Sequence, residues 1–585
     1  MAGWRISLPL ARIPLLILVA IWVLPGLVGH DPWKNDDAIG IGVAHQFASH
    51  GDWLVPRLAG EHYSEDGPLF YWTAAGFARL LGGLLLQQDA MRLAAGALVA
   101  LTLAFLYFTG RASQRAEQLG GDSRAGQRLG DGAMLLFMGC TGLLVHAHEA
   151  ISETAMLAGL ACAYYGAALI ERRPYRAGVA LGCGLGAAFL ATGVMQILPL
   201  LVALAITPLI VADWRSRSAA IALALAAVVL VPWLVIWPAL LHARSPELYF
   251  VWWHKDGLAV LAHAPRFSWA GHALRTLSWF AWPAWPIALW ALWLYRRRPA
   301  SAAIVLPLVA LSAGLALTPF SGRPAELPLL SLLLPLALLG AQVLGDLRRG
   351  AANALAWFGA MTFSLLAGLI WLGYLALQTG FPSRLAASAA RIEPGFVAHF
   401  SWPPFLAAVA VTLAWIELIL RSKNAALRCV TYWAAGLALF WALAMLLWLP
   451  WIDHGKSYRP VALSLLASLP KHHGCIASRG LGEAQRAVLD YHAGIVTDRS
   501  ARAPRMRAAA GAGERAPAGA RPGRAVEEDL GGQPRRRPHR EAAALRQTGG
   551  SGYKYCGSGK GKTLSYEQGG MRLPLYIHPR AGRRS

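Results

Sequence analysis

Between Asn35 and Trp72 the chain carries six carboxylates, Asp36, Asp37, Asp52, Glu61, Glu65 and Asp66, against one Lys or Arg, Arg57. Asp36 and Asp37 come a few residues after the first apolar run, where a membrane chain would leave the lipid. A carboxylate placed there can serve as general base toward a hydroxyl held at the membrane surface. Its plainer alternative is solvation of an outside loop. A second polar cluster, His146, His148, Glu149 and Glu153, falls in a short turn between two apolar runs. Ionisable groups so near to lipid are expensive and point to function by default. The histidines and a glutamate have the chemistry of a divalent metal site, although their spacing matches no standard motif. Cations that could hold a phosphate are Arg57, Lys255 with His254 beside it, Arg266 and Arg323. Arg suits bidentate phosphate recognition; a headgroup anchor is the alternative for each.

These residues need a scaffold, and composition says which. The chain has 585 residues, 56% hydrophobic and only 15% charged, with 24 tryptophans. A soluble protein so composed would expose large apolar patches, so the reading is an all-α polytopic membrane protein. Apolar runs fall near 13–29, 90–110, 132–148, 154–170, 177–193, 195–212, 219–241, 278–295, 301–318, 327–344, 354–377, 402–420 and 430–450. Each approaches the roughly 20 residues that cross a hydrocarbon core. The first follows Arg5 and Arg12 without a small-residue cleavage site, and reads as a retained span.

Thirteen spans make a testable parity, because alternate loops should hold the Lys and Arg. With the N-terminus inside, the inside loops carry Arg111, Arg115, Arg124 and Arg128, then Arg172, Arg173 and Arg176, then Arg215 and Arg217. They continue with Arg296–Arg298, Arg348 and Arg349, and finally Arg421, Lys423 and Arg428. The short outside loops near 149–153 and 193–195 have none, and that near 319–326 has only Arg323. The expected frame is a bacterial inner-membrane protein, N-terminus cytoplasmic and C-terminus periplasmic. Residues 1–450 form its membrane domain, with outside loops at 30–89 and 241–277. Within the first, Pro68–Leu86 reads as an interfacial helix, since another span there would invert every later loop. Residues 451–498 begin a C-terminal outside domain.

The net charge of +23 invites a nucleic-acid partner, but its distribution argues against one. From Arg499 onward there are 19 Lys and Arg against 6 Asp and Glu, a net of +13 in one tail. Residues 499–585 are rich in Arg, Ala, Gly and Pro and lack apolar periodicity, so they read as disordered or as GC-rich DNA translated out of frame. The "GSGKGKT" at Gly557–Thr563 has no preceding buried strand and is no phosphate loop. The six cysteines show no CxxC pairing, which supports neither a zinc site nor a disulfide framework.

The first outside loop resembles that of the lipid-carrier-dependent glycosyltransferases with the GT-C fold. These include the lipid A aminoarabinose transferases and the protein mannosyltransferase-like bacterial enzymes. Their pattern is an Asp-Glu pair, GDW-x-x-P-R-L, Tyr-x-Glu-Lys-Pro-Pro and Tyr-Trp. This chain has Asp36-Asp37, Gly51-Asp52-Trp53, Pro56-Arg57-Leu58, Tyr63, Glu65, Pro68 and Tyr71-Trp72. "AAFLATGV" (Ala187–Val194), "RPAELPLLSLLLPLALLGA" (Arg323–Ala341), "KSYRPVALSL" and "DYHAGIVT" are weaker matches, and the likeness runs over about residues 10–498. The resemblance implies an inverting transfer of a sugar from a polyprenyl-phosphate carrier to an envelope acceptor: lipid A, a glycan, a lipid or a protein. It implies Asp36 as general base with Asp37 beside it, and Glu153 as a second important carboxylate. It implies cations across the cavity from Asp36, for which Arg57 and Lys255 are candidates, and the substrate-binding set is Arg57, Tyr63, Glu65, Asp66, His254, Lys255, Arg266 and Arg323.

The chain departs from the pattern at two lysines, which stand here as Asp66 and Thr192. Either the phosphate is held differently, or the donor differs, or activity is lost. From other classes, a transporter or flippase of a lipid-linked glycan and an inactive lipid-binding homologue remain the alternatives.

Overall fold

The computed structural model describes residues 12–33, 35–113, 123–257, 264–297, 301–320, 326–421, 427–470, 476–478, 481–498, 562–568 and 571–577. Helices appear at all thirteen apolar runs. The chain opens with α1 (Arg12–Val23), α2 (Asp36–His50), α3 (Leu69–Leu81), α4 (Gln87–Ala112), α5 (Ser123–Met138) and α6 (Leu143–His146). There follow α7 (Ser152–Ala168), α8 (Pro174–Thr192), α9 (Val194–Ile210), α10 (Arg217–Arg244), α11 (Pro246–Lys255) and α12 (Phe267–Phe280). Next are α13 (Ala284–Tyr295), α14 (Ala302–Leu317), α15 (Leu330–Ala341), α16 (Arg349–Thr379) and α17 (Ser383–Ile392). The last are α18 (Trp402–Arg421), α19 (Arg428–Lys456), α20 (Arg459–Ser468) and α21 (Glu483–Ala493). By length and composition, seven of these can cross a membrane, and α1, α9, α13 and Leu327–Ala341 are shorter apolar helices. Every residue of α15 is buried, so helices surround it on all sides. Glycines let α7 and α8 approach closely: a Cβ on Gly159 would stand 2.6 Å from the Gly184 carbonyl oxygen.

The opening acidic stretch is not a loop. It folds as helix, hairpin, helix. Asp36 and Asp37 occupy the first turn of α2, where carboxylates oppose the positive end of the helix dipole, and Gly51 closes the helix in the left-handed region. Ile41, Val43, Ala44 and Phe47 bury its length. The hairpin pairs β1 (Arg57–Leu58) with β2 (Glu61–His62) through Ala59 and Gly60, both at positive φ as such a two-residue turn requires. α3 buries Phe70, Tyr71, Ala74, Ala75 and Ala78 and leaves Leu80 exposed.

Before α2 lies a strained residue. Asn35 has φ 74° and ψ −128°, a conformation natural to glycine and costly for other residues. Asn35→Gly is therefore expected to hold or slightly raise the thermal midpoint in detergent. Asn35→Val should cost about 2 kcal/mol. Equal midpoints for the two variants would show that this turn stores no strain.

The described residues divide into two units, the larger being 1–467 with 482–496. It thus includes α21, from the segment expected to begin a separate C-terminal domain, and α21 packs on α2. Buried Arg486 of α21 pairs with Glu61 at 2.8 Å. The smaller unit is 468–481 with 497–585. Its strands β3 (Ile476–Ser478), β4 (Thr497–Asp498), β5 (Lys562–Gln568) and β6 (Met571–Ile577) form one sheet in the order β4-β3-β6-β5. The tail expected to lack structure thus contains a hairpin, β5–β6, whose alternating "TLSYEQ" and "RLPLYI" suit strands. The rest of that tail lies outside the described residues.

Candidate active site

Two adjoining cavities open beside the N-terminal ends of α2 and α7 and the segment that follows the β1–β2 hairpin. The smaller, about 230 Å³, is lined by Asp36, Tyr63, Tyr71, Ser152, Leu327 and Glu483, among others. The larger, about 450 Å³, is lined by Thr192, His254, Lys255, Asp256, Arg266 and Trp269, among others. Glu65, Asp66 and Glu153 line both, so the carboxylates stand at the boundary. A third cavity of about 260 Å³ shares Met195, Gln196, Trp269 and Pro328 with the second and continues it along Pro199, Leu317, Leu329 and Leu332. The series therefore runs from an acidic chamber, through one where His254, Lys255 and Arg266 join carboxylates, to an apolar one.

Local structure sets each side chain. A helix turns about 100° per residue, so neighbouring Asp36 and Asp37 cannot face the same way. Asp36 lines the small cavity. Asp37 is fully buried and saturated, contrary to its expected place beside Asp36. Its Oδ1 accepts from Arg92 Nε at 3.1 Å and the Ala150 amide at 3.0 Å; its Oδ2 accepts from Arg92 Nη2 at 2.9 Å and the Trp33 amide at 3.0 Å. Burial raises the Asp37 pKa, but the Arg92 guanidinium and these donors outweigh it and hold the carboxyl below its ordinary value.

Glu153 begins α7 and is buried at the boundary. Asp66 Oδ2 accepts from the hydroxyls of Tyr63 at 3.3 Å and Tyr71 at 3.1 Å. Burial, then the Asp66 charge, pushes the Tyr71 pKa well above its ordinary value, so Tyr71 stays a neutral donor. Glu65 pairs with Lys255, whose ammonium also reaches Ser64 Oγ at 3.3 Å. His254 Nδ1 donates to the Phe250 carbonyl at 2.8 Å, which fixes the proton on that nitrogen. Arg266 lies over the Trp269 ring at 4.7 Å, its backbone amide bound to the Pro319 carbonyl at 2.8 Å. The Thr192 hydroxyl turns back to the Ala188 carbonyl at 3.4 Å.

Some expected groups stand elsewhere. Arg57 folds onto its own turn, Nη1 to the Gly60 carbonyl at 3.4 Å, and is not among the residues lining these cavities. Arg323 lies outside the described residues. The His146–His148 cluster does not converge on an ion: His146 Nδ1 pairs with Glu149 at 3.0 Å. His148 lies with Nδ1 2.7 Å from the Leu144 carbonyl and Nε2 2.8 Å from that of Trp22. Among the described residues no three His, Cys, Asp or Glu side chains gather as metal ligands would. Glu483 and Arg92 escaped the sequence reading. Glu483 opens an ordinary helix, capped by Gln485 Oε1 on the Gly482 amide at 2.9 Å, and nothing local marks it as facing a cavity.

No family model and no curated protein sequence matches the chain. Solved structures do. ArnT from Cupriavidus metallidurans bound to undecaprenyl phosphate superposes with a TM-score of 0.59 at 17% identity, over 83% of this chain and 85% of that one. The apo state of the same protein gives 0.57 at 17% identity, over 83% and 84%. This chain has the GT-C fold. At that identity the likeness is one of architecture. Asp66 stands at the boundary of the two cavities. Two tyrosine hydroxyls support it, and the neighbouring Lys255 keeps cationic charge beside Glu65.

Proposed function

We propose that the chain is an integral-membrane glycosyltransferase that moves a sugar from a polyprenyl-phosphate carrier to an envelope acceptor with inversion. Asp36 is the general base. The observation that carries this reading is the sequence of cavities: a carboxylate-lined chamber, a chamber with His254, Lys255 and Arg266, and an apolar continuation. Inverting displacement needs a base and a leaving phosphate on opposite faces of the anomeric carbon. Asp36 lies on one side of the Glu65–Asp66–Glu153 boundary and the cations on the other. The acceptor hydroxyl enters beside Asp36, which takes its proton as the bond to the sugar forms. The carrier phosphate leaves toward Lys255 and Arg266, which stabilise its growing charge. The apolar cavity receives the first part of the carrier chain. Undecaprenyl phosphate bound to ArnT supports a carrier of that class. The loop charges support a periplasmic position for the cavities.

Mass spectrometry of envelope lipids and glycans tests the reading in wild type, a deletion strain, and the deletion complemented with Asp36→Asn. Loss of one sugar-sized mass in both mutants, with the bare acceptor accumulating, is expected. A wild-type profile in the deletion strain would sink it.

The phosphate assignment has its own test. Lys255→Ala and Arg266→Ala are each expected to weaken undecaprenyl phosphate binding about tenfold, the scale of one charge-assisted contact. Tryptophan quenching in detergent, with Trp269 beside Arg266, would measure it. Unchanged affinity in both variants would move the phosphate elsewhere.

A further inference from the structure

We infer that Asp37 and Arg92 are positioning residues that fix Asp36 relative to Glu153; this rests on the transferase reading above. Asp36 and Glu153 sit on separate segments, the first turn of α2 and the first turn of α7. One carboxylate joins those segments. Asp37, next to Asp36, accepts the amide of Ala150, three residues before Glu153, at 3.0 Å.

Packing repeats the link at the next turn. A Cβ on Gly40 would stand 1.6 Å from the Ala150 carbonyl oxygen, so α2 lies directly against that peptide. Residue Ala150 is thus held at both of its backbone groups, its N–H by Asp37 and its carbonyl against Gly40.

Arg92 fixes the grip in rotation. It is fully buried in α4 and donates to both Asp37 oxygens, to the His30 carbonyl at 2.9 Å and to the Asp31 carbonyl at 2.8 Å. The guanidinium fork leaves the Asp37 carboxylate one orientation. With Asp37 turned inward, the helical twist turns Asp36 onto the cavity. A second layer holds the preceding turn: Asp453 of α19 accepts the Asp31 amide at 3.0 Å and Trp33 Nε1 at 2.9 Å. Neither Asp37 nor Arg92 lines the cavities, so both act through Asp36 and Glu153. Reacting groups displaced by about 1 Å lose on the order of a hundredfold in rate.

The test compares Asp37→Asn, Arg92→Lys and Asp37→Glu in the deletion strain, with Asp36→Asn as the inactive reference. Sugar transferred per folded molecule is read by mass spectrometry after induction, and undecaprenyl phosphate binding is read on the purified variants. Asp37→Glu keeps the buried charge paired, so it folds even where the others fail, yet its extra methylene pushes α2 off Ala150. Expected is a ten- to hundredfold fall in transfer per folded molecule, with undecaprenyl phosphate affinity within about twofold of wild type. A purely structural role would lower the folded fraction and leave transfer per folded molecule unchanged, which overturns the inference. If Asp36→Asn is inactive while the Asp37 and Arg92 variants transfer at full rate, positioning fails and the transferase reading stands. If wild type transfers no sugar, both fall.

Discussion

Asp36→Asn is expected to abolish sugar transfer while leaving the fold and carrier binding intact. Asn matches Asp in size, and Asp36 lies at the surface of a cavity, not inside the core, so packing is unaffected. What is lost is the ability to take a proton from the acceptor hydroxyl. Loss of a positioned base costs about 10²- to 10⁴-fold. Because Lys255 and Arg266 are on the other side of the acidic boundary, undecaprenyl phosphate should bind the variant as it binds wild type. The two measurements together are decisive. Transfer lost with binding retained makes Asp36 the base. Full transfer returns the role to Glu153, Glu65 or Asp66, which also line the chamber.

The largest effect on stability is expected from Arg92→Ala. Arg92 is fully buried, and its removal leaves Asp37 as a buried carboxylate without its counter-ion, together with two carbonyls without their donor. Breaking a buried pair from one side costs about 3–5 kcal/mol. A domain's whole stability is about 5–15 kcal/mol. Little folded Arg92→Ala protein should survive detergent extraction, as read by fluorescence-detected size exclusion. Arg92→Lys restores the charge without the fork and should fall between. Arg92→Ala that extracts and melts like wild type would show that water or a neighbouring donor already meets Asp37.

Acid should expose the same pair. The Asp37 carboxyl titrates below its unfolded value of about 3.9, so its contribution stands above that pH and fades as the pH falls through the folded value. Wild type should therefore lose thermal stability below about pH 4, and Asp37→Asn, which has no carboxyl there to protonate, should lose less.

The parts of this protein that depend on local pattern were legible beforehand. Each apolar run holds a helix, because roughly 20 residues of Leu, Ala and Val have few other ways to satisfy their backbone in lipid. The GDW segment and the carboxylates around it marked the site because they interrupt that pattern. What depended on tertiary contact was not legible. Asp36 and Asp37 are identical in type and adjacent, and partners distant in sequence, Arg92 and the Ala150 amide, tell them apart. Arg92 itself falls inside the apolar run near 90–110, where nothing local marks it. The stretch after Asp36 has glycines at 40 and 42 and no clear amphipathic period, so it read as a loop; close packing on Ala150 requires Gly40. Arg57 looked like a phosphate ligand, but the two-residue turn at Ala59–Gly60 returns it to its own backbone.

Glu483 has a consequence for biogenesis. This carboxylate is reached after the last long apolar helix, yet it lines the same chamber as Asp36, near the start of the chain. On the proposed reading, a ribosome that has already threaded every apolar helix into the membrane still holds an enzyme with an open wall. The wall closes only when α21 has been translocated and has docked on α2, with Arg486 reaching Glu61. Carrier lipid is then safe from a half-made enzyme, and a product truncated near residue 480 would insert normally and transfer nothing.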